Sequence, residues 1–311
     1  MKRSHFTWMA VLTLLIGMNA SLAWAAQKPA AGTAPVSVIV SVEAGNAKNV
    51  PAISKDDVHV FQGPDRLNVT DWVPLQGEHA GLELLVLIDE TSTYRIASQF
   101  NDIRHFMDAQ PPSTKIAVGY MQNGIVRMAQ NFTADHAAAG KALRFPLGEA
   151  VGWSSPYLSV TDAIQRWPKS SARHVIFMIS DGMDPLQPGY VDSYLDQAIH
   201  TAQRTGTQVY TIYVAHAGHY GHSFWRIYQG QVNLSRLADE TGGEGYFQGF
   251  STPVAFAPYL DQFAARLTHQ YRITFLARAG DKPDYRHIQF ETTVPNTELV
   301  TADQVYIPAA K

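Results

Sequence analysis

Two continuous apolar runs in this chain each lead into an aspartate. Residues 84–88 (LLVLI) precede Asp89, and residues 175–179 (VIFMI), followed by a serine, precede Asp181. Such runs are typical of parallel strands covered on both faces, and ligands bind at the carboxyl ends of these strands where the strand order reverses. We therefore expect both carboxylates to face one crevice, where their mutual repulsion favours a bound cation.

Hydroxyl groups follow the first of these aspartates. In the segment Asp89-Glu90-Thr91-Ser92-Thr93, the two threonines share a side if the loop is extended, because alternate side chains share a face. Carboxylate and hydroxyl oxygens are hard ligands that suit Mg²⁺, Ca²⁺ or Mn²⁺ better than zinc or copper. The alternative role of Asp89 is to cap the helix that follows it.

The composition excludes several classes of protein. The chain has 311 residues and no cysteine, which excludes disulfide frameworks, thiolate-bound zinc or iron–sulfur clusters and thiol catalysis. Its 24 Lys and Arg residues against 27 Asp and Glu residues give a net charge of −3, unlike a strongly basic nucleic-acid binder. We therefore expect no nucleic-acid partner.

The region from residue 80 to 269 alternates strand patterns with helix patterns. This alternation predicts a doubly wound, Rossmann-like α/β domain with a mostly parallel sheet. Asn123-Gly124 is a common hairpin turn, so residues 115–121 and 125–132 are predicted to pair as antiparallel strands. A helix is predicted where Ile96, Phe100, Ile103 and Met107 recur three or four residues apart. Further helices are predicted at 134–144, 158–167, 190–205, 234–240 and 254–269.

The two ends of the chain differ from this central region. Residues 1–25 have a basic start, a short apolar run and an Ala-x-Ala site, which predicts a cleaved secretory signal peptide. An uncleaved anchor is the alternative, although the apolar run is short for a bilayer. Small residues and proline over 26–35 predict a linker, and strands are predicted within 36–79 and 270–311. We expect a periplasmic or extracellular protein without a stable membrane span after cleavage.

The sequence contains few signatures of an enzyme. It has no Gly-x-Ser-x-Gly elbow and no His-Glu-x-x-His motif. We expect no enzymatic activity, with metal-assisted hydrolysis by Asp89 and Asp181 as the alternative. Three histidines, His216, His219 and His222, have the side chains to bind zinc or nickel, but their glycine-containing spacing favours a polar loop.

The two aspartate loops together resemble a known metal site. Asp89-x-Thr91-x-Thr93 resembles the metal-ion-dependent adhesion site of von Willebrand factor type A domains, and residues 179–182 (ISDG) resemble the later aspartate loop of those domains. The resemblance implies that Thr91 and Thr93 bind the metal directly, while Asp89 and Asp181 supply charge and orient water. It also implies that an acidic side chain of a protein partner fills the open coordination position.

The third metal-binding loop departs from the family pattern. The family uses a threonine just before a helix, whereas residues 152–162 have no threonine in that place. Ser155 or Ser159 is the candidate, and Ser155 is preferred because Pro156 follows it and proline commonly opens helices. The residues expected to contact the partner are Glu90, Tyr94, Trp153 and Tyr157.

The resemblance extends over residues 36–307, nearly all of the mature chain. The segments at 54–61, at 237–243 and from Gln270 are similar to a bacterial secreted subfamily related to the von Willebrand factor A domain and frequent in Acidobacteria. The resemblance implies an exported adhesion or protein-binding module that depends on Mg²⁺, Ca²⁺ or Mn²⁺. The alternatives are a structural envelope protein with a degenerate metal site and a metal-dependent hydrolase.

Overall fold

The structure is a computed structural model that describes most of the chain from residue 32 onward. The predicted signal peptide, Trp153, His219 and His222 lie outside the described residues. No helix in the described part of the chain is both long and apolar enough to cross a membrane. The described ranges are 32–44, 50–151, 154–189, 191–217, 223–246, 249 and 251–310.

The described residues form strands β1 to β15 and helices α1 to α6. The strands are β1 (Gly32–Ala44), β2 (Val58–Gln62), β3 (Asp65–Arg66), β4 (Asn68–Pro74), β5 (Leu82–Asp89), β6 (Thr114–Gln122), β7 (Ile125–Thr133), β8 (Arg173–Ser180), β9 (Gln208–Tyr213), β10 (Gly245–Tyr246), β11 (Gln270–Ala279), β12 (Asp284–His287), β13 (Gln289–Thr292), β14 (Thr297–Val300) and β15 (Gln304–Ile307). The helices are α1 (Phe100–Asp108), α2 (His136–Lys141), α3 (Pro156–Gln165), α4 (Ser193–Thr205), α5 (Phe224–Glu240) and α6 (Ala257–Thr268).

The central sheet has the strand order β10-β9-β8-β5-β6-β7. All neighbouring strands are parallel except β6 and β7, which are antiparallel. Asn123 and Gly124 join β6 to β7 with φ angles of 54° and 74°, the left-handed conformation that a tight hairpin turn needs. The predicted α/β class and the predicted hairpin are both confirmed.

Helices cover both faces of this sheet because alternate residues of its strands point to opposite sides. All eight residues of β5 are buried. Leu84, Val86 and Ile88 pack in one core with residues of α1, α2 and α6. Leu85 and Leu87 pack in the other core with residues of α3, α4 and α5. The continuous apolar run of β5 is therefore the consequence of burial on two sides.

The amino- and carboxyl-terminal strands combine in a separate antiparallel sheet of order β14-β1-β11-β4. β1 pairs with β11 from Gly32↔Ala279 to Ser41↔Gln270. Residues 32–35, expected in the linker, are instead the first residues of β1. The buried face of this sheet forms a third core that includes Val40, Phe275 and Ala277.

Helix α5 is longer than the sequence predicts. It begins at Phe224 rather than at residue 234, because its first half buries polar side chains such as Gln229 and Asn233 that hide the apolar period. The extra turns place Gly230 beside the loop that follows β8.

Candidate metal centre

Asp89 and Asp181 meet at the carboxyl ends of two neighbouring strands. β5 and β8 are adjacent and parallel, with Ile88 opposite Ile179. Because the chain continues from β5 to one side of the sheet and from β8 to the other, this is the point where the strand order reverses. Only 1% of Asp89 and 8% of Asp181 is exposed. The prediction that Asp89 and Asp181 end neighbouring strands is confirmed.

Three donors hold the carboxylate of Asp89. Its Oδ1 accepts from the backbone N–H of Thr91 at 3.0 Å and from the Thr91 hydroxyl at 2.8 Å. Its Oδ2 accepts from the hydroxyl of Ser180 at 2.8 Å. A hydroxyl that donates its proton keeps lone pairs, so the Thr91 oxygen remains able to bind a cation. The sequence does not indicate the Ser180 contact, because its pattern marks this residue only as the end of a strand.

Burial and the charge of Asp89 act together on Asp181. Burial is the largest cause that raises the pKa of Asp181 to about 7, and the charge of Asp89 is the second. His216 and Arg226 oppose this rise. Oδ1 of Asp181 also accepts a hydrogen bond from the backbone N–H of Met183 at 3.1 Å. Two close buried carboxylates resist being ionised together, and a divalent cation between them would remove that penalty.

A third carboxylate, missed in the sequence, lies in the same loop. The Ser155 hydroxyl donates a hydrogen bond to Oδ2 of Asp184, and the backbone N–H of Leu186 donates to Oδ1 at 2.9 Å. Burial raises the pKa of Asp184, and the charge of Asp89 raises it further. Asp184 follows Asp181 by three residues, and this repetition of aspartate in one loop is the signal that would have found it.

Ser155 and Ser159 have different roles. Ser155 is the residue before α3, and Pro156 opens the helix, as expected. The Ser159 hydroxyl donates to the Ser155 carbonyl at 2.9 Å, within the helix itself. The third loop therefore presents Ser155 towards the aspartate loops, while Ser159 is used locally.

Thr93 is half-buried and caps the short 3-10 helix Tyr94–Gln99. Its Oγ1 lies 3.5 Å from the backbone nitrogen of Arg95, a long contact that leaves the hydroxyl weakly engaged. Among the described residues, no hydrogen bond joins Thr93 to Asp89 or Asp181. Thr91 is thus held at the centre by a direct bond, whereas Thr93 is not.

A close backbone contact fixes the loop of Asp181 against helix α5. Gly182 has a φ of 71°, and a Cβ atom there would lie 2.3 Å from the carbonyl oxygen of Gly230. A Cβ atom at Gly230 would lie 1.9 Å from the carbonyl oxygen of Asp181. Only glycine permits this approach at both positions, so the length of α5 and the position of the second aspartate are linked.

Glu90 is not exposed to a partner, and the expectation that it contacts one is wrong. Only 1% of the residue is exposed. Its carboxylate forms an ion pair with Arg144 and accepts from the backbone N–H of Leu147 at 2.9 Å. The Arg144 guanidinium in turn lies 3.8 Å from the ring centroid of Tyr120. Glu90 thus ties the loop after β5 to the segment before α3.

Tyr157 is also internal, so its predicted contact with a partner is wrong. The residue is fully buried, and its hydroxyl donates to the carbonyl oxygen of Gly182 at 2.5 Å. Burial raises the pKa of the Tyr157 hydroxyl well above its usual range. Tyr157 is the second residue of α3 and packs in the core that includes Leu85 and Leu87.

Exposed apolar side chains lie in the segments that follow β5, β8 and β9 or that precede α3 and α6. Tyr94, one of the predicted partner contacts, is 67% exposed. Leu147 lies beside Glu90, and the Val254 carbonyl accepts from the Gln99 side chain at 2.8 Å. We call the following side chains the apolar rim: Tyr94, Phe145, Leu147, Leu186, Phe224 and Val254.

The donor set fits a hard cation. The described residues contain no group of three or more His, Asp and Glu side chains arranged to hold a metal, so any metal here depends on hydroxyls beside the carboxylates. The hydroxyls of Ser92 and Ser154 are buried without a hydrogen-bond partner among the described residues. Buried unsatisfied hydroxyls are commonly served by water or an ion. Oxygen ligands of this kind suit Mg²⁺, Ca²⁺ or Mn²⁺.

Comparisons with known proteins found similarity only among solved structures. No family model and no curated protein matches the chain. The chain is similar to a von Willebrand factor type A protein from Catenulispora acidiphila, with 11% identity, a TM-score of 0.40, and coverage of 91% of this chain and 75% of that one. It is similar to the ArnB paralogue VWA2 from Sulfolobus acidocaldarius, with 11% identity, a TM-score of 0.41, and coverage of 88% and 76%. It is also similar to an aerotolerance-related membrane protein from Bacteroides fragilis, with 13% identity, a TM-score of 0.43, and coverage of 60% and 98%.

Proposed function

We propose that this protein is an exported, divalent-cation-dependent protein-binding module of the von Willebrand factor A type. The observation that carries the proposal is the meeting of two buried carboxylates, Asp89 and Asp181, at the reversal of strand order. Their repulsion favours a cation, and the neighbouring hydroxyls supply further oxygen ligands. The proposal involves no catalysis by the chain itself.

The proposed cation is Mg²⁺, or Ca²⁺ or Mn²⁺ in its place. The residues that would hold it are Asp89, Thr91, Thr93, Ser155 and Asp181. The cation would supply a positive charge at the surface edge, where an acidic side chain of the partner completes its coordination. The protein residues keep the carboxylates together and orient the hydroxyl lone pairs through the hydrogen bonds of Asp89 and Asp184.

The apolar rim supports a protein as the partner. Tyr94 opens the 3-10 helix after β5, Phe224 opens α5, and the other four side chains lie in loops. Val254 is 94% exposed and Phe224 is 73% exposed. Aromatic and apolar side chains are the usual composition of the buried core of a protein-binding surface. We propose that the rim contacts the partner after the cation has captured its carboxylate, in the place of the predicted contacts Glu90 and Tyr157.

A structural role without a cation is the second candidate. It is favoured by the hydrogen bonds that already satisfy Asp89 and by the bond that engages Ser155 with Asp184. In that case the aspartate loops are held by protein donors alone, and the surface would bind its partner without a metal.

Calorimetric titration of the metal-free protein with Mg²⁺, Ca²⁺ and Mn²⁺ tests the proposal. Saturable binding of at least one of these cations is expected, and its absence for all three would leave only the structural role. A pull-down from envelope and culture fractions, with and without chelator, then tests the partner. Chelator is expected to release a captured protein, and capture that ignores chelator would contradict cation-dependent binding.

A further inference from the structure

A second polar cleft lies at the opposite edge of the central sheet. It has a volume of about 610 Å³, within the range of small-molecule sites. Leu82 and Glu83, at the start of β5, line this cleft, whereas Asp89 ends the same strand. A strand of eight residues spans roughly 23 Å, so the cleft is separate from the candidate metal centre.

The cleft is formed where the central sheet and the antiparallel sheet meet. Residues 37–39 of β1 and Arg272 of β11 line one side, and residues 170–174 and Lys115 line the other. Junctions between two packed units are common places for ligand sites, because neither unit fills the space alone.

Arg173 is the residue of this cleft that most favours an anionic ligand. Its Nη1 donates to the carbonyl oxygen of Leu267 at 2.8 Å and to the side-chain oxygen of Gln270, both uncharged groups. Its Nε is buried and has no hydrogen-bond partner among the described residues. None of the ion pairs formed by the described residues includes Arg173. Burial lowers the pKa of this guanidinium to about 10.

A largely buried cation without a counter-ion is costly, and an anion from outside the chain would offset that cost. The acidic residues of the cleft do not neutralise the charge of Arg173. Glu83 accepts from the Trp167 indole N–H at 2.8 Å and lies 3.9 Å from Lys115. Glu78 faces His79 at 3.5 Å on the exposed side.

The charge and the donors in the cleft favour an anionic ligand. The cleft is lined by three basic side chains, Lys115, Arg173 and Arg272. Among the described residues, only two acidic side chains, Glu78 and Glu83, line it as well. An arginine fork binds oxyanions with two hydrogen bonds, and a lysine adds a compact charge. Hydroxyl donors also line the cleft, and they come from Ser37, Ser113, Ser170 and Ser171.

We propose that this cleft binds a small molecule that carries a phosphate group, with Arg173 as its buried anchor. Phosphate is favoured over a single carboxylate because it offers more acceptor oxygens and a second negative charge to donors on several sides. The volume of the cleft exceeds what phosphate alone needs, so a phosphate monoester is the expected ligand class. The inference does not depend on the proposed metal centre.

Calorimetric titration of the full mature chain with inorganic phosphate, glycerol phosphate and succinate, at constant ionic strength, tests this proposal. Chelator is present throughout, so that a cation at Asp89 and Asp181 contributes nothing. Saturable binding of phosphate is expected, with glycerol phosphate at least as tight and succinate weaker. Absence of saturable binding for both phosphate compounds at millimolar concentration, or tighter binding of succinate, would overturn the proposal.

Substitutions then locate the bound phosphate. Arg173→Gln is expected to weaken binding by about tenfold or more, because the buried positive charge that attracts the anion is lost. Two further variants, Lys115→Gln and Arg272→Gln, remove charges on less buried side chains and should also weaken phosphate binding. They test the proposal if Arg173→Gln does not fold. Arg127→Gln, on the exposed face of β7 and outside the cleft, is the matched control and should bind phosphate normally. Equal affinity in all four variants would place phosphate elsewhere and overturn the proposal.

Discussion

The hydroxyl of Ser155 donates a hydrogen bond to the carboxylate of Asp184, which is 29 residues further along the chain. This bond joins the loop before α3 to the loop after β8. The Ser155 hydroxyl donates its only proton in this bond, so its oxygen lone pairs stay available to a cation. In the proposed metal centre, Asp184 would therefore position Ser155, the third hydroxyl ligand.

We expect Ser155→Ala and Asp184→Asn each to weaken Mn²⁺ binding by about 10–100-fold, the usual effect of losing a ligand or its supporting partner. Because the two side chains act through one bond, the double variant should lose less than the sum of the single losses. Calorimetry on the four proteins of this cycle measures the coupling. Ser159→Ala is the control, since that hydroxyl serves its own helix. Additive losses would show that Asp184 does not act through Ser155.

Asp89→Asn is expected to remove saturable Mn²⁺ binding, because it deletes one of the two buried charges that meet at the sheet edge. In the absence of metal, the free energy of unfolding should be unchanged or higher, since the charge that raises the pKa of Asp181 is gone. Calorimetry and urea unfolding measure the two effects. Asp65→Asn, on β3 and outside the central sheet, should leave metal binding unchanged. Normal Mn²⁺ affinity in Asp89→Asn would contradict the proposed centre.

Gly182→Ala tests the close contact between the loop of Asp181 and α5. Its Cβ would lie 2.3 Å from the Gly230 carbonyl, in addition to adopting a positive φ. Gly63→Ala is the matched control, with a φ of 59° and nothing within 4 Å of the added Cβ. The control should lose about 1–2 kcal/mol from the left-handed backbone alone. Gly182→Ala should lose about 1–3 kcal/mol more through overpacking, as measured by urea unfolding. Equal losses would argue against a tight contact.

Asp192→Asn is expected to change the pH dependence of stability. Asp192 caps α4 by accepting from the backbone N–H groups of Tyr194 and Leu195, while its Oδ2 is buried without a partner. Burial raises its pKa from the usual 3.8 to about 6, so the folded protein holds this proton more tightly than the unfolded chain. Ionisation above pH 6 therefore costs stability, and this cost disappears as the pH falls towards 4.

The asparagine keeps the cap and removes the charge. The variant should exceed the original protein in free energy of unfolding by about 1–2 kcal/mol above pH 7, and the difference should vanish near pH 4. Urea unfolding across this pH range measures it. A difference that does not vary with pH would mean that Asp192 titrates alike in the folded and unfolded chains.

Glu90→Gln should destabilise the protein by about 2–3 kcal/mol, because the buried carboxylate that pairs with Arg144 is replaced by an amide. Mn²⁺ binding should be retained, since Glu90 faces away from the proposed ligands toward the segment before α3. Urea unfolding and calorimetry measure these two properties. Glu78→Gln, at an exposed position, is the control. Unchanged stability with lost partner binding would restore Glu90 as a partner contact.

The sequence alone determined the central sheet and the meeting of its two aspartates. The apolar runs before Asp89 and Asp181 indicate strands that are buried on both faces of a sheet. This pattern is a local property of each strand. The hairpin at Asn123-Gly124 is likewise local, because the turn depends on two residues that tolerate positive φ. The order of strands then followed from the usual arrangement of such sheets.

The tertiary structure decided which polar side chains are internal. Glu90 and Tyr157 are polar residues in loops and helix starts, yet Arg144 and the carbonyl of Gly182 satisfy them inside the protein. Asp184 joins the centre only because Ser155 is brought to it, and Arg173 lines a cleft only because two sheets meet there. Periodicity reveals whether a segment is buried, but the partner of a buried charge comes from a distant segment, and only the packed chain brings the two together.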